Sequence, residues 1–392
     1  MEIITLEPAF EAEPKTDSDE EKEQNVTESA VASELRDGWV EDIGGSFLVP
    51  NAVYDALPIG SRILSAERSG VSAWTKTAKL SVRLPDGSGK NYFLKCSTGQ
   101  GARALAEGEF YSATAINKVL PGFVPNPVGW GTYEKNQEQH FYYLADFHHI
   151  DLAGVPEPGT IASKLAELHS KGTSPNGKFG FHVPTVIGKM ERTVTWEESW
   201  AKSFSNQLLD VIRYDNETNG PWPELAAACQ QLVDVVIPRL LGVLQSEGRQ
   251  ITPSLIHGDL WENNVGTDMD TGNTIVFDPG STYAHNEMEF GTWRCSWAFY
   301  FNSPVYMRSY QRLIPPSEPA EEWDDRNRLY SLHPYFTDSA GHAGSLSRKI
   351  AYNDILYLCE KYGPLETLGK YNPDEDIVLT GGNIPFVISQ LE

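Results

Sequence analysis

Within residues 74–84 the apolar side chains Ala78, Leu80, Val82 and Leu84 recur on every second position, with Trp74 in the same phase, and a shorter apolar run follows at 92–96. Pro85-Asp86-Gly87-Ser88-Gly89 separates them, so the pair reads as two strands of a hairpin. The period then changes. Over residues 102–120, Leu105, Ala113, Ile116 and Leu120 fall on one stripe of a helix, and Glu109 lies on that same stripe. Residues 141–145 return to strand character. Beyond Gly159 the pattern is predominantly helical, at 161–170, 196–212, 225–245 and again after Met288, without an internal repeat. This order predicts an α+β chain of two lobes, a small strand-rich one and a larger, mainly helical one, with a ligand cleft at their junction.

The stripe poses a chemical question, because a carboxylate facing a core requires a cationic partner. Lys95, at the end of the apolar run Tyr92-Phe93-Leu94, is the natural one, and a strand lysine paired to a helix glutamate is a device for holding nucleotide phosphates. Taken alone, Lys95 could equally be a solvated strand lysine and Glu109 a boundary residue. Glu107 points to the other side of the helix. Ser69-Gly70-Val71-Ser72-Ala73 offers a loop able to cover phosphates, but it lacks GxGxxG spacing and reads equally as a small-residue turn.

The densest chemistry lies in Leu255-Ile256-His257-Gly258-Asp259-Leu260-Trp261-Glu262-Asn263-Asn264, followed by Ile275-Val276-Phe277-Asp278-Pro279. If residues 265–267 and 274–277 form a hairpin centred on Thr271, Asn264 stands opposite Asp278 and both reach one metal. Magnesium takes hard oxygen ligands, one or two of them from protein, and an amide with a carboxylate meets that need. Asp259 lies outside the pair, free to accept a proton from a hydroxyl. An isolated His-Gly-Asp is also an ordinary turn. The ordered combination points instead to metal-assisted phosphoryl transfer. Asp146-Phe147-His148-His149 follows the strand at 141–145, where the chain of a two-lobed kinase crosses between lobes and its backbone binds adenine. His148 and His149 lack a second pair at ligand spacing and read as hinge or surface residues.

Composition narrows the partners. The 392 residues carry a formal charge of −23, which argues against nonspecific binding to nucleic acid or anionic membranes. Fourteen acids against three bases fall within residues 1–50, so nearly half of the excess is concentrated there. Residues 1–38 read as an acidic, disordered tail, 39–147 as the nucleotide-binding lobe and 148–392 as the catalytic and substrate-binding lobe. Cys96, Cys229, Cys295 and Cys359 are scattered, which fits buried thiols in a reducing compartment. No run of about eighteen apolar residues and no export signal is evident, so a soluble, cytoplasmic protein is expected, in which the Asn25-Val26-Thr27 sequon is silent.

His257-Gly258-Asp259-Leu260-Trp261, with Asn264, Asp278-Pro279 and His285-Asn286-Glu287, resembles the fructosamine kinase (ketosamine 3-kinase) family of the aminoglycoside and choline kinase superfamily. Glu107-Gly108-Glu109, Phe179-Gly180-Phe181, Ile187-Gly188, Trp196, Ser199-Trp200, Arg326 and Leu329-Tyr330 extend the resemblance over residues 60–362. It implies a protein-kinase-like fold, ATP and Mg2+, and phosphorylation of the sugar 3-hydroxyl of ribulosamine or fructosamine adducts on protein lysines. In that family the unstable product releases the amine, so the resemblance implies a deglycation repair enzyme. On this resemblance Asp259 is the catalytic base, Asn264 and Asp278 are metal ligands, and Lys95 and Glu109 position ATP, with Asp146 and Phe147 beside it. Trp261 either covers a sugar face or packs beside the catalytic loop, and His285 and Glu287 either contact substrate or hold their loop.

Two departures stand out. Phe336-Thr337-Asp338 replaces a Leu-Asn-His triplet common in relatives, and Asn263 replaces a glycine before Asn264, which bears on substrate choice. Asp278-Pro279-Gly280 without an Ala-Pro-Glu element disfavours protein kinase activity. A kinase of another hydroxylated amine, such as choline or an aminoglycoside, and a nucleotide-binding pseudokinase are the competing readings.

Overall fold

The structure is a computed structural model describing residues 47–70 and 75–381. The acidic segment 1–38, the expected start near Trp39, and residues 71–74 of the small-residue loop and first strand lie outside the described residues.

The N-terminal lobe is a five-stranded antiparallel sheet built from β1 (Arg62–Arg68), β2 (Lys76–Arg83), β3 (Gly89–Thr98), β4 (Pro127–Lys135) and β5 (Glu138–Asp146), in the order β1-β2-β3-β5-β4. Pleating divides β3 between two buried faces. Leu94 and Cys96 join Val53, Leu80 and Tyr142 in a core on one side. Lys95 faces the other way, toward the helix α1 (Ala102–Val119), where Ala102 and Ala106 pack on Phe141, Tyr143 and Ala145. The sequence pattern anticipated β2, β3, β5 and α1 but not β1 or β4, whose residues are mostly half-buried or exposed and show no clean alternation.

After β5 the chain leaves the sheet. Its next strand, β6 (Ile150–Asp151), belongs to the large lobe. Then follow α2 (Pro158–Lys171), the two-stranded β7 (Thr185–Ile187) and β8 (Met190–Arg192), and α3 (Trp200–Asn219). Each helix starts where its residues cap it. Glu157 accepts from the backbone N–H groups of Gly159 and Thr160, with Pro158 at the first turn, and Ser199 accepts from that of Lys202, which delays α3 from the expected 196 to Trp200. The helix expected over 225–245 runs as α4 (Pro223–Gln231), a π turn at Leu232–Val236 and α5 (Ile237–Leu241). Pro238 has no N–H to return to the preceding turn, and the wider turn absorbs the defect.

Among the described residues one helical stretch, Pro223–Gln245, is long and apolar enough to cross a membrane. Leu225, Leu232, Val236, Ile237, Leu240 and Leu241 are instead buried in the main core of the large lobe. That core is completed by Trp200 and Phe204 of α3, by Tyr330, Tyr335 and Phe336 of α7 (Trp323–Gly341) and by Ile355 and Leu358 of α8 (Ser347–Tyr362), whereas α6 (Pro304–Gln311) places Tyr306 and Tyr310 in a separate core. A second core runs between the lobes. Ile116, Leu120 and Phe123 from the α1 region meet Leu165 and Leu168 of α2, and Leu255, Val265 and Val276 beneath the catalytic segment.

Candidate active site

The candidate catalytic segment leaves β9 (Ser254–Ile256) as His257-Gly258-Asp259. Its path is fixed from below by Glu289, whose carboxylate accepts from the backbone N–H of His257 at 2.6 Å and of Gly258 at 3.0 Å. Burial opposes the charge of Glu289, but these bonds and the His169 ring nearby hold its carboxyl below the ordinary range. His257 serves a similar end. Its Nε2 lies 3.0 Å from the Phe277 carbonyl and its Nδ1 accepts from the Asp259 N–H at 3.3 Å, an assignment that leaves the ring neutral, as burial also favours. Gly258 has φ +85° and approaches the second loop so closely that a Cβ would lie 2.3 Å from the Gly280 carbonyl oxygen.

Asn264 ends the short turn Glu262–Asn264, and its Nδ2 donates to the Asp259 carbonyl at 2.8 Å and to Asp259 Oδ2 at 3.1 Å. The amide nitrogen therefore faces Asp259 and Oδ1 is turned the other way. Burial, reinforced by the charge of Asp278 and opposed by Arg192 and Asn264, pushes Asp259 up to about 7. A carboxyl in that range is suited to take a proton from a hydroxyl near neutral pH.

The strands β10 (Val265–Asp268) and β11 (Thr274–Val276) pair as Val265↔Val276, Gly266↔Ile275 and Thr267↔Thr274. The hairpin forms as expected, but its register is one residue away from the expected one. Residues 269–272 make a four-residue turn closed by Asp268 and Asn273, so Asn264 stands opposite Phe277, whose N–H donates to the Asn264 carbonyl at 3.0 Å. Asp278 still reaches the site because its own backbone turns back, with φ +56°. Lys95 Nζ donates to Asp278 Oδ1 and to Glu109 Oε2, at 2.8 Å each, so the strand lysine, the helix glutamate and the second loop meet at one point. Burial alone would depress Lys95; the two carboxylates outweigh it and hold the ammonium above the usual lysine range. Glu107 pairs with Arg103 on the outer side of α1, as its helical position requires.

These groups line one cavity of about 990 Å3 between the lobes. One end is walled by Thr77, Lys95, Tyr143, Asp146, Phe147 and Met269; the other by Ile187, Trp261, Trp297, His333, Thr337 and Asp338. Asp146 pairs with Lys90 at 2.8 Å, and the Phe147 N–H donates to the Asn91 carbonyl at 3.2 Å. That N–H is thus committed to the sheet. His148 and His149 bond Asp268 and Asp270 at 3.1 Å, tying the crossing segment to the β10–β11 turn. Trp261 is half-buried and presents part of its surface to the cavity.

Two candidates do not face it. His285 and Glu287 are 0% and 3% exposed. The His285 ring bonds the Tyr330 hydroxyl at 2.8 Å and Ser317 Oγ at 2.9 Å, and burial lowers it to about 4, so it is neutral. Glu287 binds the Arg326 guanidinium at 2.7 and 3.0 Å and the Ser317 N–H at 2.8 Å. Of the two roles open to them, they hold the loop; substrate contact is corrected. Sequence reasoning missed Arg192 and Glu289, which bond the catalytic loop, because each sits in a three- to five-residue element with no period to expose it.

Sheet, helix, cleft and the convergent Lys95, Asp259, Asn264 and Asp278 define a phosphotransferase with the two-lobed kinase-like fold. A solved structure described as a putative fructosamine-3-kinase from Thermobifida fusca matches with a TM-score of 0.61 at 20% identity, covering 79% of this chain and 98% of that one. Another, from Haemophilus somnus, matches with a TM-score of 0.56 at 17% identity, covering 76% and 92%. The model of the family described as Fructosamine kinase matches residues 69–350, and the chain belongs to that family. Among curated relatives, the chloroplastic protein-ribulosamine 3-kinase of Arabidopsis thaliana is 28% identical over 247 residues, 62% of this chain and 69% of that one. The ketosamine-3-kinase of Mus musculus is 27% identical over 293 residues, 64% and 84%.

Proposed function

We propose that this protein transfers the terminal phosphoryl group of ATP to the sugar 3-hydroxyl of ketosamines, the ribulosamine and fructosamine adducts of lysine side chains, and so initiates their removal. The observation that carries this reading is the meeting of Asp259, Asn264, Asp278 and Lys95 on one cavity wall. Family membership and the names of the curated relatives support the acceptor class.

Each residue has a defined task. Lys95, held by Glu109, receives the nucleotide phosphates at the sheet end of the cavity, with Asp146 and Phe147 bordering the base. Asp259 accepts the proton of the attacking hydroxyl, and Trp261, on the cavity wall, covers the apolar face of the acceptor. Asp278, 46% exposed toward the cavity, and Asn264, with its Oδ1 turned away from Asp259, are hard-oxygen donors that fit magnesium. When bound there, the metal supplies neutralisation of phosphate charge. Among the described residues no cluster of three or more histidine, cysteine or carboxylate ligands exists, in keeping with a cation held largely by phosphates and water. A reducing compartment such as the cytoplasm belongs to the proposal, supported by four buried free thiols.

The test is turnover of ribulose-lysine, fructose-lysine, choline and an aminoglycoside by the purified full chain with Mg-ATP. Phosphorylation of the ketosamines is expected. Turnover of choline or the aminoglycoside alone would overturn the acceptor assignment, and nucleotide binding without transfer to any acceptor would make the protein a pseudokinase.

A further inference from the structure

Arg192, the last residue of β8, is the unexplained group nearest the chemistry. Its side chain is buried at 5% exposure. Nη1 donates to the Gly280 carbonyl at 2.7 Å and Nη2 to the Gly258 carbonyl at 3.1 Å. Gly258 immediately precedes the base Asp259, and Gly280 lies two residues beyond Asp278. One planar guanidinium therefore spans the two loops that must be held in register for phosphoryl transfer.

The strand that carries it is itself anchored to the third part of the site. Thr185 of β7 pairs with Arg192, and the hairpin packs against α1, the helix of Glu109. The approach is close at Gly108, where a Cβ would lie 2.5 Å from the Pro184 carbonyl oxygen. A continuous path thus runs from α1 through β7 and β8 to the catalytic and metal-binding loops. The carboxylates of Asp259 and Glu289 lie near enough to favour the guanidinium charge, while burial opposes it and lowers Arg192 to about 10, still cationic at neutral pH. On its other side it meets His333 of α7 and, across a small void, Gln207, Asp210 and Tyr214 of α3.

We propose that Arg192 is a positioning residue, a two-pronged brace that sets the separation between the Asp259 loop and the Asp278 loop. The inference rests on the phosphotransferase reading above. It depends on geometry that lysine cannot supply, because a single ammonium on a flexible stem does not present two parallel N–H groups to carbonyls of different loops. A brace that serves catalysis, rather than folding alone, acts on the chemical step and leaves nucleotide affinity in place.

The experiment compares wild type, Arg192→Lys and Arg192→Met by steady-state kinetics, by calorimetric binding of MgADP and by hydrogen exchange of the nucleotide-free protein. Arg192→Met is expected to lose kcat by about a hundredfold, the scale of an ångström-sized misplacement, with KM for ATP within about threefold. Arg192→Lys is expected to recover no more than about a tenth of wild-type kcat, and in both variants the amides of residues 257–260 and of Gly280 and Ser281 exchange faster. A folded Arg192→Lys protein with kcat within about threefold of wild type overturns the proposal, as does a loss of MgADP affinity in proportion to the loss of kcat. If Arg192→Met does not fold, the Lys variant decides alone. A wild type inactive on every ketosamine defeats the functional reading instead, and the brace is then judged on hydrolysis of ATP.

Discussion

Asp259→Asn should destroy activity and, at alkaline pH, stabilise the protein. The folded chain raises this carboxyl from 3.8 to about 7 through burial and the charge of Asp278. A group whose folded value lies above its unfolded value favours folding most below the unfolded value, and that contribution is lost as pH rises through the window between them. From about pH 4 to pH 7 the wild type therefore loses stability, to a limit of about 4 kcal/mol for three pH units. Asp259 is partly open to the cavity, and solvent screening reduces this to about 2–4 kcal/mol. Asparagine is isosteric, does not titrate, and can still accept from Asn264. With an unfolding entropy of about 2.1 cal/mol/K per residue, a gain of that size raises the melting temperature by roughly 3–6 °C. Melting curves of metal-free protein at pH 8.5 and pH 5.5 test it, since at pH 5.5 the penalty is about half developed. A variant no more stable than wild type at pH 8.5, or an equal gain at both pH values, refutes the reasoning. The same variant should phosphorylate a ketosamine at least about a hundredfold more slowly.

Lys95→Met leaves Glu109 buried beside Asp278 with no cation. It should cost about 3–5 kcal/mol in urea denaturation and raise KM for ATP at least tenfold in steady-state assays, to about that order. Gly258→Ala places a methyl 2.3 Å from the Gly280 carbonyl oxygen at φ +85°, so kcat should fall at least about a hundredfold while far-UV dichroism is unchanged. Glu287→Gln removes the carboxylate that binds buried Arg326 and should lower the melting temperature by an amount worth about 3 kcal/mol, with KM for the ketosamine within about twofold of wild type. A large KM effect there would return Glu287 to the substrate site.

The parts of the site that could be read from the sequence are those where chemistry and period coincide. Glu109 stood out because a carboxylate on an apolar helical stripe requires a cation, and Lys95 provides it at 2.8 Å. Asp259, Asn264 and Asp278 were legible from their order around a hairpin. The register was not, because a three-residue and a four-residue turn fit Asp270-Thr271-Gly272 equally well, and the difference shifts every cross-strand neighbour. What restored the outcome was the positive φ of Asp278, which no hydrophobic pattern encodes. His285 and Glu287 erred the other way. Polar residues next to a functional loop look the same in sequence whether they face a cavity or brace the loop from behind, and only burial separates the two.

The same separation sorts the residues at which the sequence departs from the pattern of its relatives. Of the departing triplet, Phe336 is fully buried in the core of the large lobe, whereas Thr337 and Asp338 line the acceptor end of the cavity. Burial opposes the charge of Asp338, but His342 Nδ1 at 3.0 Å and the hydroxyls of Ser345 at 2.5 Å and Ser347 at 2.6 Å hold its carboxyl below the ordinary range. The same contact raises His342. The Asp338–His342 pair is thereby fixed in the wall while remaining tied to the loop that begins α8. Asn263, in place of a glycine, lines the cavity as well. Thr337, Asp338 and Asn263 thus reach the cavity that Lys95, Glu109, Asp259, Asn264 and Asp278 also line, whereas Phe336 does not. Exchange of Thr337 or Asp338 is therefore expected to shift the KM values for ketosamines while leaving that for ATP within about twofold, and equal changes in both would refute the assignment.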